Sequence, residues 1–193
     1  MKLQKLISKL EKHHKKKLDL SLGRTFNLLK KLGDPQDKLK NVITVVGTNA
    51  KASMCYSLKS ILNQSGYKTN LYTSPHLLSY TERYIFDDKE INEEDLIELL
   101  TGVEKTLGDD NATLFEILTC AFLKHAESFK DNINIIEAGL FHQFDSTNVF
   151  KENLMTLIGV IHNDHFQWLE NKSIEGVIYE KTAKLLNSNI FIN

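Results

Sequence analysis

What this sequence lacks narrows the field first. Two cysteines, Cys55 and Cys120, stand in 193 residues. They are far apart and outside any CxxC pair, which leaves no disulfide framework and reads as free buried thiols of a reducing compartment. There are also only two prolines, Pro35 and Pro75, and both fall between candidate elements rather than inside them. No apolar run is long enough for a signal-peptide core or a membrane span, so a cytoplasmic protein with no membrane partner is expected. Charge of one sign is missing too. Lys and Arg number 24 against 25 Asp and Glu, a formal net charge of -1, and nothing in that balance asks for nucleic acid. The basic run Lys12 to Lys17, with His13 and His14 inside it, reads as a solvated helix face, although a positive rim would also suit an anionic ligand. Internal repeats and low-complexity tracts are absent.

What is present is enough apolar residue, 41% with 25% charged, to bury a core in one domain. Apolar periodicity predicts helices over Leu3 to about Leu18 and Leu22 to Leu32, the second stopping at Gly33 before Pro35. A strand follows at Val42 to Val46. Met54, Leu58, Ile61 and Leu62 then recur at helical spacing up to Gly66, and a second strand covers Thr69 to Tyr72. Glu93 to Leu107 is predicted helical, and Thr113 caps a helix reaching about Phe129. Ile133 to Ile136 and Leu154 to Val160 read as strands buried on both faces, Ile174 to Leu186 as a last helix and Ile190 to Ile192 as a last strand. Strands alternating with helices imply a parallel sheet with right-handed crossovers.

The most informative stretch lies at the first of these junctions. An apolar strand, Val42 to Val46, runs into Gly47-Thr48-Asn49-Ala50-Lys51-Ala52-Ser53 and then into a helix. Main-chain N–H groups there can cradle phosphate oxygens, Lys51 can reach the outer phosphates and the Ser53 hydroxyl can face a magnesium ion. Ala50 and Ala52 flank the lysine where glycine is usual; the loop tolerates their methyls if both keep negative φ. An ordinary turn with a solvated lysine fits this motif alone equally well. Ligands of open α/β sheets bind beyond the carboxyl ends of the strands, however, and Ser74 to His76, Glu137 and Asn163-Asp164-His165 all fall at such ends. A carboxylate, a hydroxyl and an imidazole gathered there would hold a divalent cation against ATP.

Further segments extend the pattern. Asp19 to Arg24, Leu32 to Gln36, the Gly47 to Ser53 loop, Leu71 to Leu77 with Thr81-Glu82-Arg83, Thr113 to Glu116, Glu137 to Leu140 with Asp145 to Val149, Asp164-His165 and Tyr179-Glu180-Lys181 follow one another along nearly the whole chain. In this order they resemble the folylpolyglutamate synthase and dihydrofolate synthase family, a branch of the Mur ligase-like amide-forming enzymes. The resemblance implies an α/β fold of P-loop type, with a mostly parallel sheet flanked by helices like the Mur ligase central domain. Family members are considerably longer, so residues 1–193 are expected to form a single partial N-terminal ATP-binding domain. The sheet would be incomplete at its C-terminal end and the C-terminal domain absent. Such a fragment is not expected to be active alone, and the full-length protein is expected to be a monomer.

The resemblance also implies roles. ATP and Mg2+ would be the cofactors, with Gly47, Thr48, Asn49, Ala50, Lys51, Ala52 and Ser53 at the nucleotide. Ser53, Ser74, Glu137 and His165 would serve the metal, and Lys51, Lys181 and His165 would act in catalysis. Lys181 falls where the family carries a lysine carbamate. Leu22, Gly23, Arg24, Thr113, Phe115, Glu116 and Asp145 would line the pocket for dihydropteroate or a folate, to which L-glutamate is joined through an acyl phosphate. Bland readings stand beside these: Glu137 as a lysine partner, His165 as a core or surface histidine, Lys181 as an exposed helical lysine and Phe115 as core. The segment Gly139 to Asp145 departs from the family, since Phe141, His142 and Gln143 stand where two glycines and an arginine are expected. A degenerate P-loop module that binds nucleotide without ligating anything is the alternative.

Overall fold

The computed structural model describes residues 2–13, 21–162, 169, 173–185 and 189–192. Its elements run, in chain order, α1 (Leu3–Leu10), α2 (Gly23–Lys31), β1 (Val42–Val46), α3 (Lys51–Gln64), β2 (Thr69–Tyr72), β3 (Tyr84–Phe86), β4 (Lys89–Glu90), α4 (Glu93–Leu107), α5 (Leu114–Ala126), β5 (Ile133–Glu137), β6 (Met155–Ile158), α6 (Ile174–Thr182) and β7 (Asn189–Ile192). The strands make one sheet in the order β4-β3-β2-β5-β1-β6-β7. From β2 to β7 neighbours are parallel; β3 and β4 add an antiparallel hairpin at one edge.

The β-branched run of β1 is buried at every position, as a central parallel strand covered on both faces requires. Successive side chains point to opposite faces, and the core divides accordingly. Val45, Leu71 and Ile135 meet Cys55 of α3 on one side. Val42, Tyr72, Tyr84, Phe86 and Ile136 meet α1, α4 and α5 on the other, through Leu6, Leu10, Leu96, Leu100, Ile117 and Phe122. The result is helices on both sides of a sheet. Cys55 and Cys120 are both free and buried, and burial pushes both thiols up.

The buried asparagines between β2 and β5 are paired. Asn70 and Asn134 are register partners on β2 and β5; Asn70 Nδ2 donates to Asn134 Oδ1 at 2.9 Å, and Asn70 Oδ1 accepts from Asn132 Nδ2 at 3.1 Å and from the Asp87 N–H at 3.0 Å. A buried amide left without partners would cost about 1–3 kcal/mol.

Where boundaries differ from the sequence reading, local geometry gives the reason. The opening helix gives way after Leu10 to a 3-10 turn at Glu11–His13, and the expected continuation to Leu18 lies outside the described residues. The Leu154 to Val160 run pairs only from Met155 to Ile158, because Gly159 N–H donates to Val46 O at 2.8 Å and Val160 O turns to accept from the nucleotide-type loop. Helix α6 stops at Thr182 instead of Leu186, with Ala183 extended and Lys184 left-handed at φ 60°. The β3–β4 hairpin was not foreseen. Its two-residue turn is Asp87-Asp88, both at positive φ, the geometry that Asn-Gly or Asp-Gly usually signals.

Candidate functional site

The loop after β1 is built by close approach. Gly47 has φ +150°, and a Cβ there would lie 3.3 Å from the backbone of Gly159. Thr48 N–H donates to Val160 O at 2.8 Å, and its hydroxyl accepts from His162 N–H at 3.0 Å. Ala50 departs from expectation: it is left-handed, φ 63°, a conformation that costs a non-glycine residue about 1–2 kcal/mol. Ala52 lies inside α3 with negative φ, as expected. Helix α3 has no side-chain cap, and its first bond runs from Met54 N–H to Ala50 O at 2.9 Å. The amides of Lys51, Ala52 and Ser53 precede that bond and have no acceptor within the helix. They carry the positive end of the helix dipole, and Ser53 is exposed beside them.

Lys51 is largely buried, its side chain 14% exposed, with Nζ 3.3 Å from Thr48 O and 4.0 Å from Glu137 Oε1. Glu137, at the carboxyl end of β5, is 3% exposed. Its Oε2 accepts the Ser74 N–H at 2.9 Å, so the ends of β1, β2 and β5 converge as the sequence reading expects. Burial raises the Glu137 carboxyl above its ordinary value; the Ser74 N–H, Lys51 and Arg83 oppose that shift. With Lys51 no nearer than 4.0 Å, this buried carboxylate has acceptor capacity left over, and the donor set suits a hard divalent cation. Among the described residues no group of three His, Cys, Asp or Glu gathers for a metal; His165 and Asp164 lie outside the described residues.

Arg83 is a neighbour that the motif reading quoted without giving it a role. Its Nε donates to His76 Nδ1 at 2.9 Å and its guanidinium lies 5.0 Å from the Tyr80 ring. The loop between is held by Glu82, which accepts the N–H groups of Leu77, Leu78 and Ser79 at 2.8, 2.7 and 2.6 Å. The capping pattern Ser79-x-x-Glu82 was the available signal.

Of the residues expected around a heterocyclic substrate, Arg24, Thr113, Phe115, Glu116 and Asp145 come together. Arg24 makes a two-pronged pair with Glu116, Nε to Oε2 at 3.2 Å and Nη2 to Oε1 at 3.0 Å. Glu116 also accepts the Thr113 N–H, closing a capping box on α5. Phe115 lies against Gly139 so closely that a Cβ there would stand 2.8 Å from its ring, and 2.7 Å from Asp145 Oδ2. Asp145 is the staple of the next turn: Oδ2 accepts the N–H groups of Gly139 and Leu140 at 3.0 Å each, and Oδ1 accepts from the Thr147 N–H and hydroxyl at 3.0 and 2.6 Å. Leu22, at the N-cap position before Gly23, lines a cavity of about 220 Å3 with Phe26, His142, Phe150 and Asn153. Burial pushes the His142 imidazole down to about 4.

Lys181 is not an exposed helical lysine: it is 2% exposed, and its Nζ donates to Gly47 O at 3.1 Å and Leu140 O at 2.9 Å. It therefore touches both the loop after β1 and the segment after β5.

A mostly parallel sheet whose central strand feeds a glycine turn, a lysine and a helix N-terminus, with a carboxylate on the adjacent strand end, is a P-loop-type α/β domain. No protein-family model matches the chain. Curated proteins do: the dihydrofolate synthase/folylpolyglutamate synthase of Bacillus subtilis is 36% identical over 169 residues, 84% of this chain and 39% of that protein. Among solved structures, Escherichia coli FolC in complex with DHPP and ADP matches with a TM-score of 0.86 and 34% identity over 94% of this chain and 43% of the other. The bifunctional folylpolyglutamate synthase/dihydrofolate synthase of Yersinia pestis, complexed with AMPPNP and Mn ion, matches with a TM-score of 0.87 and 27% identity over 100% and 52%. Over the length it shares with them, the chain is homologous to the dihydrofolate synthase/folylpolyglutamate synthases and has their Mur ligase fold. It spans about two fifths of the curated relative it matches.

Proposed function

We propose that this chain forms the nucleotide-handling part of an ATP-dependent ligase that joins L-glutamate to dihydropteroate or a folate. The observation that carries the reading is the meeting of Lys51, the free amides at the start of α3 and the buried Glu137 at one end of the sheet. Relatives over the same length are named for that activity, and two of the structures it resembles contain ADP, or AMPPNP with a Mn ion. The full-length protein would be a cytoplasmic monomer without nucleic-acid or membrane partners. Among the described residues no helix is long and apolar enough to cross a membrane.

In this reading the amides of Lys51, Ala52 and Ser53 take phosphate oxygens and the Lys51 ammonium faces the outer phosphates. Glu137, with the hydroxyls of Ser53 and Ser74, would hold a Mg2+ ion, and His165 is a further candidate. Bound there, the ion would supply charge neutralisation on the phosphates. A substrate carboxylate oxygen bonds to the γ-phosphorus as the bond to the β-phosphate oxygen breaks, giving an acyl phosphate and ADP. The glutamate amine then bonds to the acyl carbon, phosphate leaves and the amine loses a proton. Lys51 and the α3 amides stabilise the charge that develops in the first step. The Arg24–Glu116 pair, Thr113, Phe115 and the turn stapled by Asp145 would form the wall that receives the heterocycle, with Leu22 and Gly23 at its edge.

Titration calorimetry of the chain with MgATP, and then with dihydropteroate or a folate, tests this. Binding of both supports the ligase reading. The second reading, a nucleotide-binding module without ligase activity, is favoured by the left-handed Ala50 and by Phe141-His142-Gln143 in the substrate segment; it predicts MgATP binding with no pterin binding. Binding of neither removes both.

A further inference from the structure

Two buried polar atoms without partners belong to residues that line one cavity. Asn153 turns the nitrogen of its amide toward the sheet, where Nδ2 donates to the hydroxyls of Thr44 and Thr156 at 3.1 Å each and so uses both of its hydrogens. Its Oδ1 is buried and has no hydrogen-bond partner; the same holds for Nδ1 of His142, a side chain only 3% exposed. Native interiors seldom leave such atoms unsatisfied. The cavity that both residues line, of about 220 Å3, has Leu22, Phe26, Phe150 and Leu185 as its apolar walls. A cavity of about 150 Å3 holds benzene, so this one takes a six-membered ring with small substituents. Lys184 is the one charged residue lining it among the described residues, and its Nζ lies 4.7 Å from the centroid of the Phe144 ring.

The chemistry of the two atoms defines what fits between those walls. An amide oxygen only accepts, so the occupant must offer an N–H or O–H to Asn153. Burial keeps the His142 imidazole neutral near pH 7, and a neutral imidazole carries its one proton on either nitrogen; with the proton on Nδ1 it donates to a carbonyl. An N–H next to a C=O on one flat ring answers both atoms at once. Among the described residues no carboxylate lines the cavity, which disfavours a cation. We propose that this cavity binds an uncharged six-membered lactam, a ring of pyridone or pyrimidinone type, with its N–H on Asn153 Oδ1 and its C=O on His142 Nδ1. The site depends on His142, and the family resemblance expects glycine there, which has no such nitrogen. Of the residues assigned to the heterocycle wall, the cavity is lined by Leu22 but not by Arg24, Phe115, Glu116 or Asp145. The proposal therefore stands whether or not the ligase reading holds.

The test uses the whole chain, with 2-pyridone as the probe and N-methyl-2-pyridone, the same ring without its N–H, as the comparison. In NMR titrations the wild type should bind 2-pyridone with a dissociation constant on the order of 1 mM. It should bind the N-methyl compound about tenfold or more weakly, because that ring leaves Asn153 Oδ1 without a donor. With 15N-histidine labelling, the ring nitrogens of His142 should shift on titration as Nδ1 takes the proton. His142→Phe keeps a flat ring in place and removes the nitrogen, and it should lose about tenfold in affinity for 2-pyridone. No binding of 2-pyridone up to about 10 mM, which is what a cavity holding only water would give, overturns the proposal. So does equal binding of the two pyridones, or an unchanged affinity in folded His142→Phe. If that variant fails to fold, the two pyridones and the His142 ring signals of the wild type still decide. None of these measurements requires MgATP or a pterin, so failure of the ligase reading is seen separately in the calorimetry described above.

Discussion

Lys51 and Glu137 approach from different elements, one at the start of α3 and the other at the end of β5, and stand 4.0 Å apart with both side chains largely buried. Neither has a closer partner of opposite charge among the described residues. At this separation the pair leaves room for a third party: an anion on the lysine side and a cation on the carboxylate side.

Replacing Lys51 with methionine keeps the length of the side chain and removes its charge. MgATP affinity should fall about tenfold or more, since a charge-assisted contact to phosphate is worth roughly 1.5–3 kcal/mol. Far-UV circular dichroism should stay unchanged. Unaltered affinity by calorimetry would remove Lys51 from the phosphate site.

Glu137→Gln keeps an oxygen for the Ser74 N–H and deletes the negative charge. In the wild type, removing Mg2+ with EDTA should weaken ATP binding; in the variant the affinities with and without Mg2+ should converge. An undiminished metal effect in Glu137→Gln would take Glu137 out of the metal site.

His142 gives a pH prediction. Burial pushes its imidazole from the ordinary 6.5 down to about 4, so between those values the unfolded chain binds more protons than the folded one. Stability from this group is present above about pH 6.5 and declines as pH falls through the window, by on the order of 3 kcal/mol in total. Urea unfolding midpoints at about pH 7 and about pH 4.5 should differ less in His142→Gln than in the wild type. Equal pH dependence in both proteins would count against a buried neutral imidazole.

The Arg24–Glu116 pair is partly buried at 19% and 8% side-chain exposure and two-pronged, so the two residues should not act independently. A double-mutant cycle with Arg24→Met and Glu116→Gln, read by urea denaturation, should give a coupling of about 1–3 kcal/mol. A coupling near zero would mean that the pair contributes to neither the fold nor the wall of the pocket.

Several of these features could be read in the sequence because they depend on local chemistry. The β-branched run of β1, the Thr113-x-x-Glu116 cap and the glycine after α3 each announce themselves over a few residues. Other features depend on partners far away in the chain. Lys181 has the spacing of an ordinary helical lysine, and only the sheet brings Gly47 and Leu140 to it. The left-handed Ala50 could not be foreseen, because alanine disfavours that conformation and tertiary packing imposes it. The β3–β4 hairpin stayed hidden because Asp87-Asp88 takes the place of the usual glycine turn. His165 is a case where the sequence reading and the described residues do not meet.

The asparagines between β2 and β5 have a further effect. Parallel strands rich in Val, Ile and Leu could slide past one another with little change in apolar contact, but an amide that has lost its partner strongly resists such a slip. Asn70 against Asn134 therefore sets the height of one strand against the other. Four residues beyond Asn70 stands Ser74, and three beyond Asn134 stands Glu137. A shift of one residue, about 3.3 Å along the strand, would carry the Ser74 N–H out of reach of the carboxylate. The vernier that aligns the two strand ends thus lies at the opposite end of these strands, away from the groups it aligns.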